Sequence, residues 1–271
     1  MKRNRFVGAM VLGGMVMVAA PAMADTCAQL ASQGLTHAAL QTTLQAVVPG
    51  DGGPVGVGTP SGGLDFPMWL TLVDDSGKVC EVVNSLTGSQ SAVRDIWLGS
   101  RVISAQKANT ANAFSTGLLS LSTANLFSAV QPGGSLYGLQ HSNPVDATVA
   151  YEGDASKFGT TKDPLKKERV GGINVFGGGL TLYNSDRVKV GAIGVSGDTS
   201  CTDHVVAWKV RETVAGGAFH VANVPGGVST GGINDALIQG STAGLVPDGF
   251  NLPGCLNNPT NANDGGSIDG N

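Results

Sequence analysis

The segment from 171 to 209 constrains the fold of this chain more than any other part of it. Two β-prone runs, 170–182 and 188–195, flank the polar residues Asn184-Ser185-Asp186, which predicts a hairpin. A glycine-spaced exit then leads into a helix that we expect Asp203 to cap. A strand that opens onto a helix N-terminus in this way is suited to building a small-molecule pocket.

Three glycines mark this exit: Gly191, Gly194 and Gly197. Glycine permits a bulge, a tight turn and close packing of a helix on a strand. The missing side chain also lets a flat or anionic ligand approach the backbone amides of the next helix. Both interpretations stay open from the sequence, and Gly194 and Gly197 are candidate ligand-binding positions.

Similar patterns predict the remaining elements. A second hairpin is expected earlier in the chain, and helices are expected at 28–48, 100–114 and 122–130, with Thr36 as a possible N-cap in the first. That hairpin has strands at 68–73 and 79–83 around the turn Asp74 to Lys78. Helices alternating with hairpins predict an α+β fold, in which helices pack against an antiparallel sheet.

The N-terminus predicts export. Basic residues precede the apolar run 6–20, and Ala22-Met23-Ala24 matches a cleavage site, so residues 1–24 read as a signal peptide cut near Ala24. Its removal takes away three basic residues and lowers the formal charge from −4 to −7. An acidic chain has no electrostatic footprint for nucleic acid. We expect a soluble periplasmic or secreted protein with no membrane span.

The four cysteines predict disulfides, because an even number in an oxidising compartment favours bridges over metal binding or catalysis. Of the three possible pairings we favour Cys27–Cys80 and Cys201–Cys255, each of which would join a peripheral segment to the core. Thiolate ligation of a metal is the weaker alternative, since the chain has no C-x2-C spacing.

Composition predicts the domain organisation. Residues 25–215 form the expected α+β domain, which contains a glycine-rich loop at 50–63. A loop-rich extension at 216–256 follows, and the tail 257–271, which has almost no apolar residues, is expected to be disordered.

Most catalytic motifs are missing. Ser104 to Lys107 fits S-x-x-K, but its companion motifs are absent, which favours a solvated helix face over a serine hydrolase. The chain has no H-E-x-x-H, Walker A or G-x-G-x-x-G sequence, so we expect no nucleotide cofactor.

The four histidines are the candidate metal ligands. His204 lies near the start of the last helix and His141 lies in a long polar loop, where each could serve as a ligand to haem iron. His37 and His220 read as structural. No two histidines have the i, i+4 spacing, which disfavours a dedicated zinc site.

Three motifs, taken in order, carry a family resemblance: 69–79 (WLTLVDDSGKV), 104–111 (SAQKANTA) and 178–208, which contains GAIGVSGD. They resemble the GlcG/HbpS-like haem-binding family over roughly residues 30–214. The resemblance implies a profilin- or PAS-like antiparallel sheet of about five strands, haem or corrinoid binding, and homo-oligomeric assembly in some members. The long segment 127–169 and the region after Ala215 depart from the family pattern.

A haem site suggested by this resemblance needs an apolar slot, an axial ligand and a cation for the propionates. The candidates are Phe114, Leu126, Phe127 and Val195 for the slot, His204 or His141 for the ligand, and Arg101, Lys107 or Arg187 for the cation.

Two functions follow from the sequence. The first is an exported protein that binds or senses haem or a related tetrapyrrole without turning it over. The alternative is a periplasmic enzyme, haem-degrading or accessory to an oxidation system, with Lys107 or His204 as proton donor. A domain that has lost an ancestral ligand site is a third, structural interpretation.

Overall fold

The structure is a computed structural model that describes residues 26–48, 63–229, 232, 234–238, 249–252 and 255. The predicted signal peptide, the tail 257–271 and residues 50–62 of the glycine-rich loop lie outside the described residues. The division into a domain at 25–215 and an extension at 216–256 stays a prediction.

Two hairpins form the sheet. The strands are β1 (Trp69–Asp74), β2 (Val79–Asn84), β3 (Gly179–Tyr183) and β4 (Lys189–Ser196). They are antiparallel in the order β2-β1-β4-β3, so pairing of β1 with β4 joins the hairpins. The fold class is α+β as predicted, but the described residues contain four strands instead of about five. The second hairpin begins only at Gly179, because Gly171, Gly172 and Gly178 take positive φ angles that interrupt an extended strand.

The α-helices are α1 (Thr26–Ser32), α2 (His37–Val47), α3 (Gly99–Ala113), α4 (Leu139–Ser142), α5 (Ala147–Ala150) and α6 (Ser200–Thr213). The first predicted helix is divided in two at Gly34, whose φ of +94° ends α1. Thr36 caps α2 as expected, since its hydroxyl accepts a hydrogen bond from the Ala39 N–H at 3.2 Å. The helix predicted at 122–130 consists of two 3-10 turns, Ala124–Leu126 and Ser128–Val130. None of the helices in the described part of the chain has the length and apolar content to cross a membrane.

Helices cover both faces of the sheet. Alternate residues of β1 point to opposite sides: Leu70 and Leu72 join the core that includes α2 and α6, whereas Trp69 and Val73 join the core under α3. The sheet is therefore buried on both faces, and α3 and α6 lie on opposite sides of β4.

The α3 backbone lies directly on the sheet at two glycines that pair across β3 and β4, Gly179 and Gly194. A Cβ atom on Gly194 would lie 2.0 Å from the Ser104 carbonyl oxygen, and one on Gly179 would lie 2.5 Å from the Lys107 carbonyl oxygen. Because α3 fills the space next to Gly194, this glycine packs a helix, which was one of its two interpretations.

The S-x-x-K stretch is not a solvated helix face. Ser104 is buried, its hydroxyl lies 2.7 Å from that of Thr71, and Lys107 is fully buried as well. That prediction was wrong because α3 presents these two polar residues to the sheet, where Thr71, Val195 and Asp203 of α6 satisfy them.

Two disulfides join the periphery to this core with the favoured pairing. Cys27–Cys80 links α1 to β2, and Cys201–Cys255 links α6 to the C-terminal segment. The bridges close sequence separations of 53 and 54 residues. Each is expected to stabilise the fold by about 4 kcal/mol in a chain-entropy account.

Candidate functional site

Asp203 lies in α6 and fixes the turn that follows β4. It was expected to cap this helix, but Thr199 holds the N-cap position and accepts a hydrogen bond from Thr202 N–H. Asp203 lies one turn later and directs its carboxylate back toward the turn. Its Oδ1 accepts hydrogen bonds from the N–H groups of Gly197 at 3.1 Å and Asp198 at 2.9 Å.

The other carboxylate oxygen of Asp203 pairs with Lys107. Lys107 Nζ lies 2.6 Å from Asp203 Oδ2 and also donates to the Val195 carbonyl at 3.0 Å. One ammonium group therefore joins α3, the end of β4 and the first turns of α6. Both side chains are buried, so this ion pair is desolvated and depends on its geometry.

Burial shifts both groups toward their neutral forms. It lowers the pKa of the Lys107 amine and raises the pKa of the Asp203 carboxyl to about 6, although the attraction between the two opposes both shifts. At neutral pH Asp203 is a carboxylate held by an ammonium group and two backbone N–H donors.

Asp198 fixes the chain that leads into β1. Its carboxylate accepts hydrogen bonds from the N–H groups of Leu64 at 2.8 Å, Phe66 at 3.2 Å and Thr199 at 2.5 Å. Three backbone donors thus satisfy this carboxylate, and the segment before β1 is held against the start of α6.

A pocket of about 280 Å³ opens at this junction, and we call it the Trp97–Phe176 pocket. Trp97, Ile103 and Phe176 form its apolar lining, and its polar lining consists of Ser100, Ser196, Asp198, Ser200 and Asp203. Trp97 is 51% exposed and Phe176 is 48% exposed. Large aromatic side chains half open to solvent beside a pocket are typical of a binding site.

Contacts with neighbouring residues hold both aromatic residues in place. Trp97 packs against Phe66 with ring centroids 4.7 Å apart, and its carbonyl accepts a hydrogen bond from the Trp69 indole at 3.0 Å. Phe176 has a carbonyl that accepts a hydrogen bond from the Thr123 hydroxyl at 2.6 Å. The next residue, Gly177, donates its N–H to the Ser200 hydroxyl at 2.6 Å. The pocket is thus supported by its backbone contacts.

His204 lies beside this pocket but does not line it. The ring is 2% exposed, and neither ring nitrogen has a hydrogen-bond partner among the described residues. Burial lowers its pKa to about 3, which makes the imidazole neutral at neutral pH. Gly177 packs closely against it, since a Cβ on Gly177 would lie 2.9 Å from the His204 Cβ.

The other predicted site residues lie apart. His141 is exposed on α4 and does not line the pocket. Arg101 is buried in an ion pair with Asp163, and its guanidinium lies 3.7 Å from the centroid of the Phe158 ring. Gly197 packs against the chain before β1, where a Cβ would lie 2.5 Å from the Pro67 carbonyl oxygen.

Among the described residues, the candidates for the apolar slot fall into separate clusters. Val195 belongs to the core shared by α2 and α6, while Phe114 and Leu126 pack in a separate cluster with Leu121 and Val130. The sheet separates the two groups, because Val195 points to the face opposite α3.

Sequence reasoning missed the two aromatic residues of the pocket. Trp97 follows the charged pair Arg94-Asp95, and Phe176 precedes three consecutive glycines. An aromatic residue in a polar or glycine-rich setting was the available signal, because such surroundings offer it little to pack against.

The structure is an α+β domain with an aromatic-lined pocket where β4 leads into α6. A family model described as "Haem degrading protein HbpS-like" matches residues 82–212, so over these residues the chain is similar to the HbpS-like family. The matched region runs from β2 to the end of α6 and contains both Lys107 and Asp203.

Solved structures were also compared with this chain. The Klebsiella pneumoniae protein ORFY is 24% identical, with 65% of this chain and 87% of that chain covered and a TM-score of 0.39. A PduOC:heme complex is 21% identical, with 69% and 99% covered and a TM-score of 0.41. HbpS is 15% identical, with 75% and 96% covered and a TM-score of 0.37. None of the curated proteins compared with the chain matches it.

Removing one member of the Lys107–Asp203 pair should be costly. We expect Lys107→Met to lower the free energy of unfolding by about 3 kcal/mol, because it leaves a buried carboxylate unpaired. In an Asp203→Asn background, Lys107→Met should lower the free energy of unfolding by at least ~1 kcal/mol less than it does in the wild type. Urea unfolding with the disulfides intact measures both costs, and Lys162→Met, at an exposed lysine, is the control. Equal costs in the two backgrounds would contradict a coupled pair.

His204 should make the fold sensitive to acid. Its pKa is about 3 in the folded protein, below its ordinary value of 6.5, so the unfolded chain takes up a proton first as pH falls. Relative to His204→Leu, the wild type should lose about 1.4 kcal/mol of stability per pH unit from pH 6.5 down toward 3. Unfolding curves between pH 7 and 4 test this, with His141→Leu as the exposed-histidine control. A constant difference between wild type and His204→Leu over this range would refute it.

Proposed function

We propose that the protein binds haem or a related tetrapyrrole at the Trp97–Phe176 pocket and does not turn it over. The observation that carries this proposal is the pair of half-exposed aromatic side chains at a pocket whose backbone is held in place. Flat conjugated ligands gain stacking and apolar contact from such rings. Similarity of residues 82–212 to a family described as haem degrading supports a tetrapyrrole as the ligand.

The size of the pocket favours partial enclosure. A volume of about 280 Å³ is at or below the low end for pockets that bury a drug-sized ligand. A tetrapyrrole would therefore insert one edge between Trp97 and Phe176 and leave the rest of the ring on the surface. Ile103 would add to the apolar contact.

The residues present also fit the needs of a haem group. Haem supplies an iron that takes an axial ligand, most often a neutral imidazole. His204 fits this role because its ring is neutral and both nitrogens lack a partner among the described residues. We propose His204 as the iron ligand, which requires its side chain to turn toward the pocket while Phe176 keeps its place, and His141 as the alternative.

Binding without turnover is favoured by how the proton donors are held. The alternative enzyme would use Lys107 or His204 as proton donor. Lys107 is fully buried and bound to Asp203, and His204 is buried against Gly177. Lys107 does not line the pocket, and His204 as the iron ligand would have its pocket-facing nitrogen occupied by the iron. Asp203 itself is held by three donors.

We also propose that the protein is exported. The two disulfides support an oxidising compartment, which agrees with the predicted signal peptide. Assembly into a homo-oligomer stays a prediction from the family resemblance.

Hemin titration followed by absorbance tests the proposal. We expect a saturable Soret change with the wild type and an affinity at least about tenfold lower for Trp97→Ala, because one face of the ligand loses its stacking partner. Tyr151→Ala removes an aromatic ring that is 63% exposed elsewhere and should bind like the wild type. The spectrum should stay constant for hours, and iron should not be released.

The same titration tests the iron ligand. His204→Ala should change the position of the Soret band, and His141→Ala should leave it unchanged. Failure of the wild type to bind hemin would overturn the proposed function. Loss of the Soret band with release of iron would instead support the enzyme.

A further inference from the structure

The Trp97–Phe176 pocket is unsuited to the carboxylates of a ligand. The charged side chains that line it in the described structure are Asp198 and Asp203, and both are acidic. Lys107 balances the charge of Asp203 but is fully buried, and the backbone N–H groups near Asp198 already bind its carboxylate. A ligand carboxylate inside the pocket would meet two like charges and no free cation.

A second cavity of about 230 Å³ is also lined by Trp97, and its charged lining residues include a basic one. Arg94 and Asp95 line it, together with Phe66, Pro67 and Ile96. The Asp95 carboxylate already accepts a hydrogen bond from the Ser91 N–H at 2.6 Å. Arg94 is exposed, and its guanidinium makes no hydrogen bond or ion pair with another described residue. The second cavity therefore offers an unused cation.

Arg94 lies within reach of a ligand that contacts Trp97. The two residues are three positions apart, so their Cα atoms are separated by at most about 11 Å. A long arginine side chain and a propionate arm together span this distance. Arginine also presents a planar fork of donors that matches a carboxylate.

We propose that Arg94 binds the carboxylate groups of the ligand and thereby sets its orientation. This inference rests on the proposed function and makes it more specific: the ligand is a flat tetrapyrrole with carboxylate side chains on one edge. Its apolar edge enters the Trp97–Phe176 pocket, away from the charge of Arg94, and its carboxylate edge extends past Trp97 into the second cavity. Arg94 takes the role for which the sequence offered Arg101, Lys107 or Arg187. The charges of Arg101 and Lys107 are used inside the protein, and Arg187 lines neither cavity.

A pair of ligands that differ only in charge separates this inference from the proposed function. Hemin carries two free carboxylates, and hemin dimethyl ester has the same ring with both of them blocked. Titrations of both ligands into the wild type, Arg94→Gln and the control Lys162→Gln use the full chain in one buffer of low ionic strength. Lys162 is an exposed cation outside both cavities.

We expect Arg94→Gln to lower the affinity for hemin about tenfold and the affinity for the dimethyl ester less than about twofold. Lys162→Gln should leave both affinities within about twofold of wild type. Since Arg94 is exposed, the effect on hemin should shrink as salt is added. Equal effects of Arg94→Gln on the two ligands, or none on either, would overturn the role of Arg94 while leaving the proposed function intact. If the wild type binds neither ligand, both proposals fail together.

Discussion

The buried ion pair between Lys107 and Asp203 is the contact on which the shape of the site depends. It joins α3, which lies on one face of the sheet, to α6, which lies on the other, at the point where β4 ends. Desolvation makes such a pair expensive, so its value lies in fixing geometry more than in stability. The close approach of α3 to Gly194 makes the contact possible, because any side chain there would push Lys107 away.

The lining of the Trp97–Phe176 pocket depends on the pairing of Lys107 with Asp203. Because Lys107 is fully used by Asp203, the pocket beside them presents aromatic rings, hydroxyl groups and two carboxylates instead of a free cation. Asp198 is satisfied in a similar way by backbone donors. A ligand is then held by its flat face at Trp97 and Phe176, and its orientation is left to a charge outside the pocket, at Arg94. These features suit a tetrapyrrole, which has a flat apolar body and acidic groups on one edge.

Sequence patterns predicted the parts of this fold that depend on local signals. The hairpin around Asp74 to Lys78, the cap at Thr36 and the pairing of the cysteines are all found in the structure. The roles of Lys107 and Asp203 were not predicted, because a contact between residues 96 positions apart leaves no periodic signal. His204, a candidate on account of its position in the helix, turns out to be buried and without a partner among the described residues. Burial of that kind depends on how helices cross the sheet, which spacing alone does not encode.

A crystal structure of the protein with bound hemin tests the central claim most directly. The account predicts the ring within van der Waals distance, about 4 Å, of both Trp97 and Phe176, with a propionate hydrogen-bonded to Arg94. Hemin bound at another surface, such as around the exposed His141, or carboxylates directed toward Asp198 and Asp203, would contradict it.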